Sequence, residues 1–369
     1  LAKSKHILVL PEWYPNETDP QLGVFIEKHV RTIANDFSIT VIYVHGNPLQ
    51  KESIKLIDET TSFRLIRATY KSSRFRLNNL IRYRRAFKLA LQKIELPDLI
   101  HLQVVGKNAI MRREFFPRVP FVITEHWSGY LRDEKKLIAP EPIVRKAFQD
   151  AQKVSAVSPF LATALTQKFG IQNIRLLPNL IEREESVQEK NDAAFVFLSV
   201  ADLDDRIKNI SGVLRAFEKI HFAQNIIYRI VGDGKDKSAL MQLAEQLKFG
   251  ENIKIEFTGR LSNPDALKEI RKANVLIVNS RMETFGMVAA ESIFAGVPVI
   301  CTKCGGPEMF VDKTNGILIP KDDPEELIRA IKKMCHEASS FSSAEMSDSI
   351  SKRFGKDTVR EALLDLYGE

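Results

Sequence analysis

The sequence is poor in several features, and each shortage removes a class of protein. Three cysteines in 369 residues, Cys301, Cys304 and Cys335, cannot build a disulfide framework. Cys301 and Cys304 have the C-x-x-C spacing, but no second pair completes a zinc site. They follow an apolar run, where cysteine serves as a small buried side chain. No apolar stretch approaches the ~18–20 residues that cross a bilayer. Residues 1–10 read as a strand and not as a signal peptide, so a cytoplasmic protein is expected. A complete dinucleotide fingerprint is missing as well. Gly232-Asp233-Gly234 follows an apolar run, but Lys237 stands where G-x-G-x-x-G needs its last glycine, which counts against a nicotinamide enzyme.

One long segment lacks acid. Residues 64–93 hold ten Lys or Arg and no Asp or Glu, within a chain of net charge +7. Residues 80–91 have helical apolar spacing with basic residues between. They read either as a core-facing helix with a solvated basic side or as a helix lying on an anionic membrane surface. Nucleic acid is not an expected partner, since no reading motif accompanies the charge.

What is present describes an ordinary globular chain: 44% hydrophobic and 27% charged residues, with a length that suits two domains. Strand-like runs at residues 6–10, 38–44, 99–102, 121–124 and 154–157 alternate with helical segments. The same alternation returns at 195–200, 226–231, 253–258, 275–278 and 297–300. It indicates α/β architecture with parallel sheets and crossover helices. The acidic residues 182–189 read as a linker between two such halves.

The most informative stretch is residues 279–298, NSRMETFGMVAAESIFAGVP. An apolar strand precedes it, a helix is expected to open near Phe285 or Gly286, and Gly296 is placed to stop that helix. A strand, a loop and a helix N-terminus seat anions well, because unpaired N–H groups and the helix dipole both favour negative charge. Glu291 lies in an otherwise apolar helix, where a carboxylate without partners costs roughly 2 kcal/mol or more. Glu283 and Glu291, eight residues apart, can face one ligand. A nucleotide sugar fits, with its diphosphate on the N–H groups of Gly286, Met287 and Val288, its ribose diol on Glu291 and its sugar hydroxyls near Glu283. The plainer alternative is a surface glutamate beside a cap and a snorkelling glutamate at the edge of a core.

Glu283-Thr284-Phe285-Gly286-Met287-Val288-Ala289-Ala290-Glu291, followed by Ala295-Gly296-Val297-Pro298-Val299-Ile300, Gly305-Gly306 and Asn315-Gly316-Ile317-Leu318-Ile319, resembles the E-x7-E signature of the family-4 retaining glycosyltransferases. That resemblance implies the GT-B fold: two Rossmann-like doubly wound parallel-sheet domains facing an interdomain cleft. It implies an acceptor-binding domain over residues 1–183, a nucleotide-sugar domain over 184–350, and a helix over 351–369 crossing back to the first. The implied reaction moves a sugar from a UDP donor, or a GDP donor, to a glycan or lipid-linked acceptor, with no cofactor. Two cations and a helix end would replace a metal.

Carried over residue by residue, the resemblance puts Glu283, Lys208 and His126 at the chemistry. It assigns the donor to Gly23, Arg206, Lys208, Gly259, Arg260, Leu261, Glu283, Phe285, Gly286, Met287, Val288 and Glu291. His101 and Gln103 are weaker candidates at a strand end, and the other histidines are expected to be structural. Two positions depart from the family pattern. Leu180 stands after Pro178-Asn179 where glycine is usual, and Asp202 stands where an arginine normally meets the diphosphate. Arg206 is the expected substitute. If nothing compensates for Asp202, a non-catalytic nucleotide-sugar-binding relative becomes the rival, and a sugar-nucleotide epimerase of the same fold is a second one.

Overall fold

The computed structural model describes residues 5–132, 137–182 and 194–368. The chain divides into two units, Leu1–Leu180 with Asp357–Glu369, and Ile181–Lys356. The expected limits were 183 and 351. The expected linker at 182–189 falls, apart from Glu182, outside the described residues.

The first unit opens with β1 (His6–Pro11), α1 (Val24–Thr32) and β2 (Ser38–Asn47), continues through β3 (Ile54–Thr60), β4 (Arg64–Lys71) and α2 (Arg76–Leu91), then β5 (Leu99–Gln103), α3 (Lys107–Phe115) and β6 (Phe121–Glu125). It closes with α4 (Glu141–Asp150), β7 (Lys153–Ala156), α5 (Pro159–Phe169) and β8 (Arg175–Leu176). The sheet order is β3-β4-β2-β1-β5-β6-β7-β8. The pairings are parallel except β3 with β4. Every residue of β5 and β6 is buried, as expected of parallel strands covered on both faces. The basic segment opens with eight residues of strand, β4, in a hairpin with β3, and its later part is helical as expected. The hairpin's edge strand carries the exposed charges Lys55, Asp58 and Glu59, which discourage pairing with another sheet.

The second unit runs β9 (Phe195–Val200), α6 (Asp205–Lys208), α7 (Ile210–Glu218), β10 (Ile226–Val231), α8 (Lys237–Gln246), β11 (Ile253–Gly259), α9 (Asn263–Lys272), β12 (Val275–Val278), α10 (Met287–Phe294), β13 (Val299–Thr302), β14 (Gly316–Ile319), α11 (Pro324–Glu337) and α12 (Ser343–Phe354). Its six strands are parallel in the order β11-β10-β9-β12-β13-β14. The last helix, α13 (Lys356–Tyr367), belongs to the first unit. It buries Val359, Leu363, Leu366 and Tyr367 with Phe37, Leu99 and Val122, and Arg360 Nε donates to Asp36 at 2.9 Å.

Both sheets reverse direction once. The chain steps outward from β1 to β2 and later starts again at β5 on the other side. It steps from β9 to β11 and starts again at β12. The carboxyl ends of β1 and β5, and of β9 and β12, therefore flank the two crevices where open α/β sheets bind ligands.

Candidate functional site

At the crevice of the second unit, β9 leads into a loop and the single turn α6, which carries Lys208. Beyond β12 the loop places Ser280 and Glu283. Lys208 Nζ lies 2.6 Å from Glu283 Oε1, and Ser280 Oγ donates to the same oxygen at 2.7 Å. Both partners of the ion pair are half-buried. Burial pulls the ammonium down, but Glu283, then Asp202 and Cys304, more than offset it and hold the Lys208 pKa above its ordinary value. Lys208 is a fixed cation at this crevice. The Glu283 backbone is pinned too: its N–H donates to Cys304 O at 2.8 Å, and its carbonyl accepts from Gly306 N at 2.9 Å.

Gly286 caps α10 with φ 87°, a left-handed conformation that favours glycine, and a Cβ there would lie 2.5 Å from Pro307 Cγ. The glycine lets the helix N-terminus press against the Gly305-Gly306-Pro307 loop. The first i→i−4 bond of the helix is made by Ala290 to Gly286 O, so the N–H groups of Gly286, Met287 and Val288 precede the helical ladder. Glu291 is half-buried one turn further on. Phe285 is a packing residue: its ring is buried against Phe354 at 5.1 Å and Phe310 at 5.8 Å. Any donor contact at Phe285 falls to its backbone. Cys301 and Cys304 are buried beneath this loop, and among the described residues no group of three or more His, Cys, Asp or Glu could hold a metal ion.

Asp202 is paired with a cation from a different loop. Arg260 Nη2, from the loop after β11, donates to Asp202 Oδ1 at 3.2 Å, while Arg206 is exposed and offers its carbonyl to Arg281 at 3.0 Å. Gly259 precedes Arg260 at φ 78°, and Lys237 reaches over it to pair with Asp233 at 3.1 Å. Lys237 and the Gly234 N–H hold the Asp233 carboxyl below its usual range. Asp202 and Asp204 share Asp-x-Asp spacing, but each faces a cation, Arg260 and Lys235 (3.0 Å from Asp204) respectively. Leu261 follows Arg260 in the same loop and is half-buried.

In the first unit, Gly23 and His126 meet through α1. Gly23 caps that helix at φ 68°, and a Cβ would lie 2.6 Å from Trp13 O, so the chain itself demands glycine there. The helix carries Phe25 to within 4.6 Å of the His126 ring and His29 to 5.8 Å. His126 Nε2 donates to Gln103 Oε1 at 2.8 Å, and its Nδ1 is buried on the side of the Asn179 side chain, with no hydrogen bond of good geometry among the described residues. Burial, then His29 and His101, keep the His126 pKa well below its ordinary value, so the ring is neutral. His101, buried, bonds Tyr367 Oη at 2.8 Å and Thr124 Oγ1 at 2.7 Å, which makes it structural.

Three residues here escaped the sequence reading. Val104 adopts φ 64°, a strained conformation for a β-branched residue, directly after Gln103. Glu12 accepts from the Lys107 N–H at 2.8 Å at the start of α3. Glu125 is wholly buried and accepts from Val105, His126 and Trp127 N–H at 3.1, 2.9 and 3.0 Å. The only advance signal for Glu125 was its position between a strand end and a candidate histidine.

Comparison with known proteins bears on both units. Residues 181–353 match the model for glycosyl transferases group 1, and residues 23–185 match that for glycosyltransferase family 4. A putative teichuronic acid biosynthesis glycosyltransferase, TuaC of Bacillus subtilis, is 25% identical over 371 residues, covering 90% of this chain and 89% of that one. A Campylobacter jejuni N-acetylgalactosaminyltransferase whose named substrate is a diphospho-undecaprenol glycan is 26% identical, over 65% of this chain and 67% of that one. Matches to curated relatives span from 30% to 89% of the relatives' length. Among solved structures, sucrose-phosphate synthase from Thermosynechococcus elongatus superposes with TM-score 0.76 at 18% identity, covering 98% of each chain. Anabaena HepE in complex with UDP gives 0.71 at 17% identity, over 98% and 99%. The fold is GT-B, with a Rossmann-like parallel sheet in each unit.

Proposed function

We propose that this chain, which belongs to the family-4 glycosyltransferases, moves a hexosyl or N-acetylhexosaminyl group from a nucleoside diphosphate sugar to a glycan or lipid-linked acceptor. UDP is favoured over GDP, configuration is retained, and no metal is required. The enzyme works peripherally at the cytoplasmic face of a membrane. The observation that carries the reading is the Lys208–Glu283 pair at the β9/β12 crevice, beside the Gly286 opening of α10. A diphosphate seated there meets Lys208 and three helix N–H groups, and Glu291 is left for the ribose diol. These groups stabilise the charge that builds on the departing diphosphate. The acceptor oxygen forms its bond to the anomeric carbon on the face that the phosphate leaves, and the acceptor proton passes to a leaving-phosphate oxygen. Glu283 positions Lys208 and binds sugar hydroxyls. Neutral His126 in the first unit hydrogen-bonds the acceptor sugar through its Nδ1. Two similar proteins support the choice of ligands: Anabaena HepE is solved with UDP-glucose, and the Campylobacter enzyme acts on a diphospho-undecaprenol glycan.

Calorimetric titration with UDP and GDP in the presence of chelator tests the donor site. One nucleotide should bind in the micromolar range, and Glu291→Ala should abolish that binding. Binding of neither would overturn the donor assignment. The Asp202–Arg260 pair favours one rival, a nucleotide-sugar-binding relative without transfer activity, because it places a carboxylate where the family has a cation. Absence of transfer with every acceptor tried, alongside intact UDP binding, would establish that rival.

A further inference from the structure

The first unit displays an apolar patch that none of the described residues covers. Ten large hydrophobic side chains are exposed among the described residues, and four of them fall within residues 75–81: Phe75 at 56%, Leu77 at 69%, Leu80 at 40% and Ile81 at 59%. Clustering of this kind is unlike the scattered single exposures of an ordinary surface. The reason lies in how α2 packs. Tyr83, Ala86, Phe87 and Ala90 are buried on one face of the helix, so the opposite face looks outward. Along that face Leu77, Leu80 and Ile81 occupy the first turns, and Arg84, Arg85 and Lys88 continue the same stripe at helical spacing. A second chain segment joins the apolar end. Ser72 N donates to Asn47 O at 3.2 Å, which sets the turn after β2 beside the chain entering α2, and Leu49 at the tip of that turn is 85% exposed.

The charges that α2 itself carries are all basic. Arg74 lies over the Phe75 ring at 4.9 Å, and Arg84 donates to Glu114 at 2.6 Å. Arg85 and Lys88 are exposed and have no acidic partner among the described residues. Apolar side chains at the tip of a helix, with unneutralised cations along the same face, match a bilayer surface: hydrocarbon just below, anionic headgroups around. The patch also lies at the carboxyl edge of the sheet, since the turn after β2 and the entry to α2 both follow strand carboxyl ends. That is the edge at which ligands of the first unit are expected.

We propose that Leu49, Phe75, Leu77, Leu80 and Ile81 insert into the interface of an anionic membrane, with Arg74, Arg85 and Lys88 on its headgroups. This surface then holds the acceptor-binding edge of the first unit against the bilayer. The inference deepens the peripheral-membrane part of the proposed function, yet its assay reads vesicle binding alone. A failure here leaves nucleotide binding untouched, and a failure of nucleotide binding leaves this surface standing.

The test is cosedimentation of the full chain with vesicles of phosphatidylcholine alone and of phosphatidylcholine with phosphatidylglycerol in equal parts. Binding should require phosphatidylglycerol. Arg85→Gln with Lys88→Gln should weaken it about fivefold per cation removed. Phe75→Ser with Leu77→Ser and Ile81→Ser should weaken it about tenfold or more, and the residual binding should then be abolished by high salt. UDP affinity and far-UV circular dichroism of both variants should match wild type, which separates lost insertion from lost folding. Equal binding to neutral vesicles, or an unchanged triple serine variant, would overturn the proposal. So would a wild-type dimer in sedimentation that the serine variant dissolves, because the patch would then belong to a second copy.

Discussion

Replacing Glu125 by glutamine probes the polar interior of the first unit. The Glu125 carboxyl is wholly buried at the end of β6, and burial outweighs its three N–H bonds, lifting its pKa from 4.5 to about 7. The unfolded chain ionises at the lower value. Between the two, the fold holds one proton more than the unfolded chain, so this group's contribution falls as pH rises and is fully lost above about pH 7. Three buried histidines act in the opposite sense. Burial lowers His29 to about 4 and His101 to about 3, and His126 lies well below 6.5. Their contribution is complete above about pH 6.5 and is lost as pH falls, because the unfolded chain takes up protons that the fold refuses.

Near pH 5.5, therefore, the unfolded chain carries about three more protons at histidine and one fewer at Glu125. At about 1.4 kcal/mol per pH unit for each proton, these four groups together should contribute a rise of roughly 3 kcal/mol per pH unit there. Glu125→Gln removes the opposing proton, and the slope should rise to about 4 kcal/mol per pH unit. The amide presents an NH2 group to one of the N–H donors, which costs about 1–3 kcal/mol at any pH. Above about pH 7 the variant also escapes the ionisation cost of the buried carboxylate, which the gap between about 7 and 4.5 puts at about 3 kcal/mol. The variant should thus be clearly weaker than wild type at pH 5 and close to it at pH 7.5. Urea unfolding followed by tryptophan fluorescence reads the right part of the chain, since Trp13 and Trp127 are the only tryptophans in the sequence and both lie in the first unit. Equal slopes for wild type and variant near pH 5.5 would refute the reasoning.

Other changes probe the second unit and the join between chain ends. Lys208→Ala should lower the transfer rate about a hundredfold or more while leaving the fold intact, and a single-turnover assay would expose the idea as wrong if the rate held. Asp202→Ala should free Arg260 and tighten UDP binding by up to about fivefold, the worth of an exposed ion pair; calorimetry showing weaker binding would mean that Asp202 itself serves the ligand. Leu363→Ala should destabilise the first unit by about 2–5 kcal/mol, seen in the same tryptophan signal, because α13 is part of its core. Transfer should survive prolonged treatment with a strong chelator, and a loss reversed by added magnesium would defeat the metal-free reading.

The features legible in the sequence were those whose physics is local. A helix that must open against a loop under glycine, carry a carboxylate one turn later and stop at another glycine leaves its mark within twenty residues. The structure accordingly starts α10 at Met287 after a left-handed Gly286 and ends it before Gly296. Ser158 and Pro159 opened α5 for the same reason, with the Ser158 hydroxyl accepting from Leu161 N at 3.2 Å. What the sequence hid depends on strand order. Asp202 and Arg260 are far apart in the chain and meet only because β9, β10 and β11 are neighbours, so nothing in their spacing announced the pair. The strain at Val104 and the burial of Glu125 likewise arise where loops from different strands close over one another.

Lys208 and Glu283 show how a distant pairing can still be inferred when topology supplies the rule. They are separated by 75 residues, and nothing in their spacing brings them together. Once strands outward from β9 are followed by a restart at β12, however, the loops after those two strands must diverge to opposite faces of the sheet, and a crevice is left between them. Side chains from both loops then reach one place, and a half-buried carboxylate there needs a cation or a proton. Lys208 supplies the cation, and a diphosphate entering the crevice competes with Glu283 for it. The Glu283→Gln variant makes that competition measurable. With the carboxylate gone, Lys208 has lost its neutralising partner, so UDP should bind more tightly while transfer of the sugar slows, because the hydroxyl contacts assigned to Glu283 are weakened. Tighter nucleotide binding with full transfer activity would keep the phosphate site and remove Glu283 from the chemistry.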